Sequence, residues 1–160
     1  MRILILDDQE PVVSMLARVC TAEGHEVSSF TSSPEALIAL ATEPFDLLMT
    51  DMNMPSPDGM TVIREARRLQ PEIFTLVITG HAGHYPLAEI VVTGTADVIF
   101  KPFHMNELKA RLSLTRQRMK LIAQIRAEHQ ALHTSSRRMI SGLEGEIIGL
   151  SGKVRRPPRP

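Results

Sequence analysis

Phe45-Asp46-Leu47-Leu48-Met49-Thr50-Asp51-Met52-Asn53-Met54-Pro55 is the stretch on which the fold turns. Phe45–Thr50 is a short apolar run without alternation, the pattern of a strand buried on both faces. It ends at an acid, Asp51, and Pro55-Ser56-Pro57-Asp58-Gly59 follows as dense turn chemistry. Met60–Leu69 then reads as a helix. The same unit recurs on either side. Upstream, Arg2–Leu6 is a buried strand that ends at Asp7-Asp8. Pro11–Glu23 sets Val12, Met15, Leu16, Val19 and Cys20 at helical spacing until Gly24 stops it. Glu26–Phe30 reads as a short strand, and Ser33-Pro34-Glu35 as an N-cap with a first-turn proline, opening a helix through Ala41. Downstream, Ile73–Ile78 is a strand ending at Thr79-Gly80. Pro86–Thr93 is a weaker helix, because Val91, Val92 and Thr93 are poor helix formers. Val98–Phe100 is the fifth strand, closed by Lys101-Pro102.

The order is a strand–helix unit repeated five times. Non-alternating strands joined by right-handed crossovers predict an α/β fold, a doubly wound five-stranded parallel sheet of flavodoxin-like type. Ligands of such sheets sit beyond the carboxyl ends of the strands. The expected consequence is that Asp7, Asp8, Asp51, Thr79 and Lys101, far apart in sequence, meet at one edge. Three carboxylates brought together repel, and a divalent cation removes the conflict. With oxygen donors and no His or Cys at the strand ends, Mg²⁺ or Mn²⁺ suits the set better than Zn²⁺. A cation and an ammonium beside a carboxylate make a place where that carboxylate can act as nucleophile and form an acyl phosphate. Thr79 offers a hydroxyl, and the N–H groups after Asp51 and Thr79 offer further donors. Singly each residue has a blander reading: an acid after a strand caps or turns, a Thr before Gly turns, and Lys-Pro merely ends a strand. Together, at successive strand ends, they read as a site.

The motifs Ile3-Leu4-Ile5-Leu6-Asp7-Asp8, Asp46–Pro55, Asp58-Gly59-Met60, Ile78-Thr79-Gly80 and Phe100-Lys101-Pro102-Phe103 resemble the receiver domain of bacterial response regulators, of the chemotaxis type. The resemblance covers about two-thirds of the chain. It implies Asp51 as phosphoacceptor, with Mg²⁺ held by the side chains of Asp8 and Asp51, by the backbone carbonyl of Asn53, and by Asp7 largely through water. Thr79 and Lys101 would hold the phosphoryl oxygens, and the Lys101–Pro102 bond would be cis. The implied donor is a sensor histidine kinase or a phosphotransfer protein. The chain would then be a signalling switch rather than a metabolic enzyme, aiding only its own phosphorylation and dephosphorylation. Val98 departs from the family's frequent Tyr or Phe three residues before the Lys, so an inward-swinging aromatic is not expected. Two rival readings stand beside this one. A Mg²⁺-dependent phosphohydrolase could use Asp51 as nucleophile, although enzymes of the haloacid-dehalogenase type carry theirs after the first strand, with a second Asp two residues on. Here Asn53 takes that place. The other rival is a receiver-like scaffold that is never phosphorylated, against which the intact acid–Thr–Lys set argues.

A balanced total of 18 basic and 18 acidic residues hides an asymmetry. Residues 1–103 carry six Lys/Arg against 14 Asp/Glu, net −8, and residues 104–160 carry twelve against four, net +8. We therefore expect a core at 1–103, an extended helix and helical linker at 104–150, and a basic, Pro-rich, disordered tail at 151–160. The helix begins at His104-Met105-Asn106-Glu107 with Asn106 as its cap, and no Gly or Pro interrupts it through Met139. Its apolar stripe drifts from a strict heptad, and Ser141–Leu150 is broken by glycine. Homodimers could form through the face of the fourth helix, fifth strand and fifth helix, or through the C-terminal helix. Direct nucleic-acid binding is not expected: there is no helix-turn-helix spacing, no aromatic interleaving, and too little chain for a winged helix. No apolar run reaches the roughly 20 residues of a membrane span, and the start Met1–Leu6 is too short for a signal peptide. The lone Cys20 cannot form an internal disulfide. A reduced cytoplasmic setting follows. His81 and His84 flank Gly83 in a Gly-rich loop, where solvated side chains are the better reading than a metal pair.

Overall fold

The computed structural model describes residues 1–55, 57–80 and 97–151, with side chains through 141. Among the described residues, five strands and three helices come first: β1 (Arg2–Leu6), α1 (Glu10–Ala22), β2 (Glu26–Phe30), α2 (Ser33–Thr42), β3 (Leu47–Thr50), α3 (Gly59–Leu69), β4 (Phe74–Thr79) and β5 (Asp97–Phe100). A C-terminal helix follows, Met105–Ser151. The chain divides into two compact units, Met1–Arg116 and Gln117–Pro160.

The strands form one sheet in the order β2-β1-β3-β4-β5, parallel throughout. The chain therefore reverses its direction of growth between β1 and β3, which opens a crevice at their carboxyl ends. Both faces of the sheet are dry. Leu4, Leu6, Leu48 and Val77 point to one side and pack with α2 and α3 through Ala36, Leu40, Val62, Ile63 and Ala66. Ile3, Ile5, Leu47, Met49, Leu76 and Ile78 point to the other and meet Leu16 and Cys20 of α1 and Leu108 and Leu112 of the C-terminal helix. Full burial of each such side chain is worth about 1.5–3 kcal/mol, so the two layers fix the register that aligns the strand ends.

Element boundaries depart from the sequence reading at several places. β3 starts at Leu47 rather than Phe45, because Phe45 N–H is taken by the Gln70 side chain at 2.8 Å. The same amide donates to the carbonyls of Leu40 and Glu43, each at 2.7 Å, so Gln70 ties the end of α3 to the α2–β3 turn. The N-cap of α2 is Ser32, not Ser33, which falls inside the first turn. Asn106 likewise lies inside the C-terminal helix, where His104 O accepts from the N–H groups of Glu107 and Leu108. That helix runs unbroken through Gly142, Gly145 and Gly149 to Ser151. A helical glycine costs about 1 kcal/mol, yet extending a formed helix is far cheaper than starting one. The expected Pro86–Thr93 helix, the His81 and His84 loop and the tail from 152 onward lie outside the described residues.

His25, between α1 and β2, is buried with Nδ1 lacking a hydrogen-bond partner among the described residues. Burial, then the N-terminal ammonium and Arg116, push its pKa below 6.5, against a smaller opposite pull from Glu23. The folded state thus resists protonating His25. Its contribution to stability is intact above pH 6.5 and is lost as pH falls through the lower, folded value. Urea midpoints measured from about pH 7.5 down to about 5 should fall less steeply for His25→Gln than for the parent chain.

Candidate functional site

The strand ends come together as the topology demands. Beyond the last paired residues, Asp51 N–H donates to Leu6 O at 3.1 Å and Lys101 N–H donates to Thr79 O at 2.8 Å. These continuations hold Asp7, Asp51, Thr79 and Lys101 in a row across adjoining strands. Asp7 and Asp51 are only 1% and 5% exposed, and Thr79 is buried as well. Lys101 Nζ donates to Asp7 Oδ2 at 2.6 Å and to Asp51 Oδ2 at 2.8 Å, bridging two carboxylates 44 residues apart in sequence. Burial by itself would lower the Lys101 pKa, but its hydrogen bonds to Asp51 and Asp7 outweigh that and raise it above 10.5. The ammonium therefore stays charged, and it orients both acids.

Each acid is also fixed by backbone. Gln9 N–H donates to Asp7 Oδ1 at 3.0 Å, and Asn53 N–H donates to Asp51 Oδ1 at 3.1 Å. The Thr50 hydroxyl donates to Asp51 O at 3.0 Å. The Lys101–Pro102 bond is cis, as the resemblance implied. Val98 is half-buried and packs against the α2–α3 core layer.

One expectation is met only in part. Asp8 is exposed beside this cluster, and among the described residues no group of three His, Cys, Asp or Glu side chains stands close enough to hold a metal. Two carboxylates meet, through Lys101, rather than three. Asp7 is buried and lysine-bound, whereas Asp8 is exposed. The sequence reading also missed Gly59. Its nitrogen donates to Met52 O at 3.3 Å, and a Cβ placed there would lie 2.0 Å from Asp51 O. The backbone of the phosphoacceptor candidate thus rests directly on the first residue of α3. The signal was present in Asp58-Gly59: Asp58 caps α3, accepting Thr61 N–H at 2.9 Å, and so Gly59 is helical rather than part of the turn.

A doubly wound sheet with two acids, a threonine and a lysine at its carboxyl edge defines a class of phosphoryl-handling switch domains. Comparison with known proteins makes this specific. Residues 3–113 match the response regulator receiver domain, and the chain belongs to that family. It is 33% identical over 107 residues to the response regulator receiver protein CpdR of Brucella abortus, covering 67% of this chain and 89% of CpdR. It is 35% identical over 158 residues to the response regulator PleD of Caulobacter vibrioides, covering 96% of this chain but 34% of PleD. A CheY-like receiver from Methanospirillum hungatei JF-1 superimposes with a TM-score of 0.71 at 24% identity, over 74% of this chain and 95% of that one, a likeness of fold. The chain spans about a third or less of several longer regulators that it matches. Among the described residues no helix is long and apolar enough to cross a membrane.

Proposed function

We propose that Asp51 is the phosphoacceptor of this receiver domain. The observation that carries the reading is the Lys101 ammonium set between two nearly buried carboxylates, which holds Asp51 oriented and adjacent to a fixed positive charge. In the transfer, an Asp51 oxygen forms a bond to the phosphorus of a phosphohistidine on a sensor kinase or phosphotransfer protein. The P–N bond breaks, and its electron pair leaves with the imidazole. Lys101 then pairs with a phosphoryl oxygen, and the Thr79 hydroxyl donates to another. Asn53 N–H, already on Asp51 Oδ1, keeps the carboxylate from rotating. Such a reaction is mostly positioning and charge neutralisation.

The donor set fits a hard cation, since the acids at the rim are oxygen ligands with no His or Cys among them. Asp7, Asp8, Asp51 and the Asn53 carbonyl are the residues that would hold Mg²⁺, or Mn²⁺. When bound, the cation offsets the negative charge that accumulates on the phosphoryl oxygens. The output would be a change of partner or dimer contacts, in a cytoplasmic setting.

Incubation with acetyl phosphate or phosphoramidate and Mg²⁺ tests this. One phosphoryl group per chain is expected, acid-stable and base-labile, and absent from Asp51→Asn. Rapid repeated turnover of phosphomonoesters would point to a hydrolase instead, and absence of any label would leave a scaffold.

A further inference from the structure

The distal part of the C-terminal helix carries a ladder of large apolar side chains in water. From Leu121 to Ser141 every residue is exposed, including Ile125 at 56%, Leu132 at 68% and Met139 at 67%. A helix that buries nothing is marginally stable in water, because its propensity barely offsets chain entropy. The apolar residues are not scattered. Ile122, Ile125, Leu132 and Met139 fall on alternating three- and four-residue steps once His129 and Ser136 are admitted to the same stripe. That is a heptad with Ile122, His129 and Ser136 at a, and Ile125, Leu132 and Met139 at d.

We infer that this stripe is a seam for a second copy of the same helix, parallel and in register. Three observations select that occupant. First, one flanking pair is polar and complementary in the parallel arrangement, while the other two, Leu121 with Arg126 and Ser135 with Ile140, add no like-charge conflict. Glu128 at g faces His133 of the second copy at e, five residues on, whereas an antiparallel pair sets g against g and e against e and forfeits this contact. Second, the outward positions are small or polar, namely Ala123, Gln124, Ala127, Gln130, Ala131, Thr134, Arg137 and Arg138, so one face alone is apolar. Third, the area suits a weak self-association. The four apolar seam residues, Ile122, Ile125, Leu132 and Met139, together with Leu121 and Ile140 offer on the order of 100 Å² each, roughly 600 Å² of apolar surface per chain, short of the ~800 Å² of a standard interface. The His129 layer weakens it further while fixing the register, since in a parallel pair His129 faces its own counterpart. His129 already packs edge-to-face on His133 of its own helix, with ring centroids 4.7 Å apart. The seam lies wholly on the helix and does not rest on Asp51 being phosphorylated.

Sedimentation equilibrium of the unphosphorylated full chain is the test. A monomer–dimer equilibrium with Kd on the order of 10–100 μM is expected. Leu132→Glu should leave a monomer throughout, and His129→Leu should tighten the dimer at least ~10-fold. Circular dichroism checks that Leu132→Glu keeps its fold. In a Cys20→Ser background, mild oxidation should cross-link Leu132→Cys chains to each other, but not Gln130→Cys chains. A chain that stays monomeric to several hundred micromolar, a dimer indifferent to Leu132→Glu, or equal cross-linking at both cysteine positions would overturn the proposal.

Discussion

Lys101→Met is expected to lose about 3 kcal/mol of stability in buffer free of divalent cations, and to accept phosphoryl groups at least ~100-fold more slowly. The first figure follows from burial. Exposed ion pairs contribute little, but here the lysine side chain is 21% exposed and the two carboxylates 2% and 6%. Removing the ammonium leaves two adjacent negative charges with little water to solvate them. Urea unfolding should show the loss, and adding Mg²⁺ or introducing Asp7→Asn should restore part of it, since either relieves the repulsion. Lys101→Arg separates the two effects. It keeps the charge and most of the stability, but its planar fork cannot reproduce a single ammonium 2.6 Å and 2.8 Å from two acids, so transfer stays slow. The pH dependence has a definite sign. The folded-state pKa of Lys101 lies above 10.5, so its contribution is fully present below pH 10.5 and is lost only as pH rises through the higher value. The gap between parent and Lys101→Met should therefore hold level from neutrality to about that pH and narrow beyond it.

The places where sequence reasoning succeeded and failed follow from the range of the forces involved. Strand identity was legible because burial on both sheet faces forces unbroken apolar runs, and those runs ended at the residues that the sheet then aligned. Which acid would face the lysine was not legible. Asp7 and Asp8 are adjacent just beyond the end of β1, where the chain bends at Asp8, so a one-residue difference decides between a buried contact and open solvent. Gln70 gave no local signal either, since its three hydrogen bonds reach 25 to 30 residues back along the chain. Arg111 and Asp97 pair at 2.8 and 2.9 Å between the C-terminal helix and β5, a contact that no periodicity announces. The glycines after Ser141 misled because propensity is a weak local preference, here overridden in a helix already formed.

Of Gly24, Gly59 and Gly80, Gly59 is the one where an added methyl should do most damage. The added Cβ would stand 2.0 Å from Asp51 O, 2.8 Å from Met52 Cα and 2.9 Å from Asp51 C. All three are backbone atoms, so no rotamer change relieves the clash. Either α3 slides away from the sheet, opening the packing of Met60, Val62 and Ile63, or the β3 end moves and carries Asp51 with it. Both routes are costly, at about 2–4 kcal/mol, with a fall in Tm of more than about 10 °C. Even under conditions where the variant remains folded, Asp51 labelling should drop sharply, because the carboxylate is positioned through the very carbonyl that must shift. Gly24→Ala provides the contrast. Gly24 sits at φ +78°, and a Cβ added there would meet nothing within 4 Å, so only left-handed backbone strain is incurred. That strain costs about 1 kcal/mol, and labelling should be unchanged. Equal losses of stability and labelling in the two variants would show that α3 does not rest on the Asp51 backbone as the contact distances require.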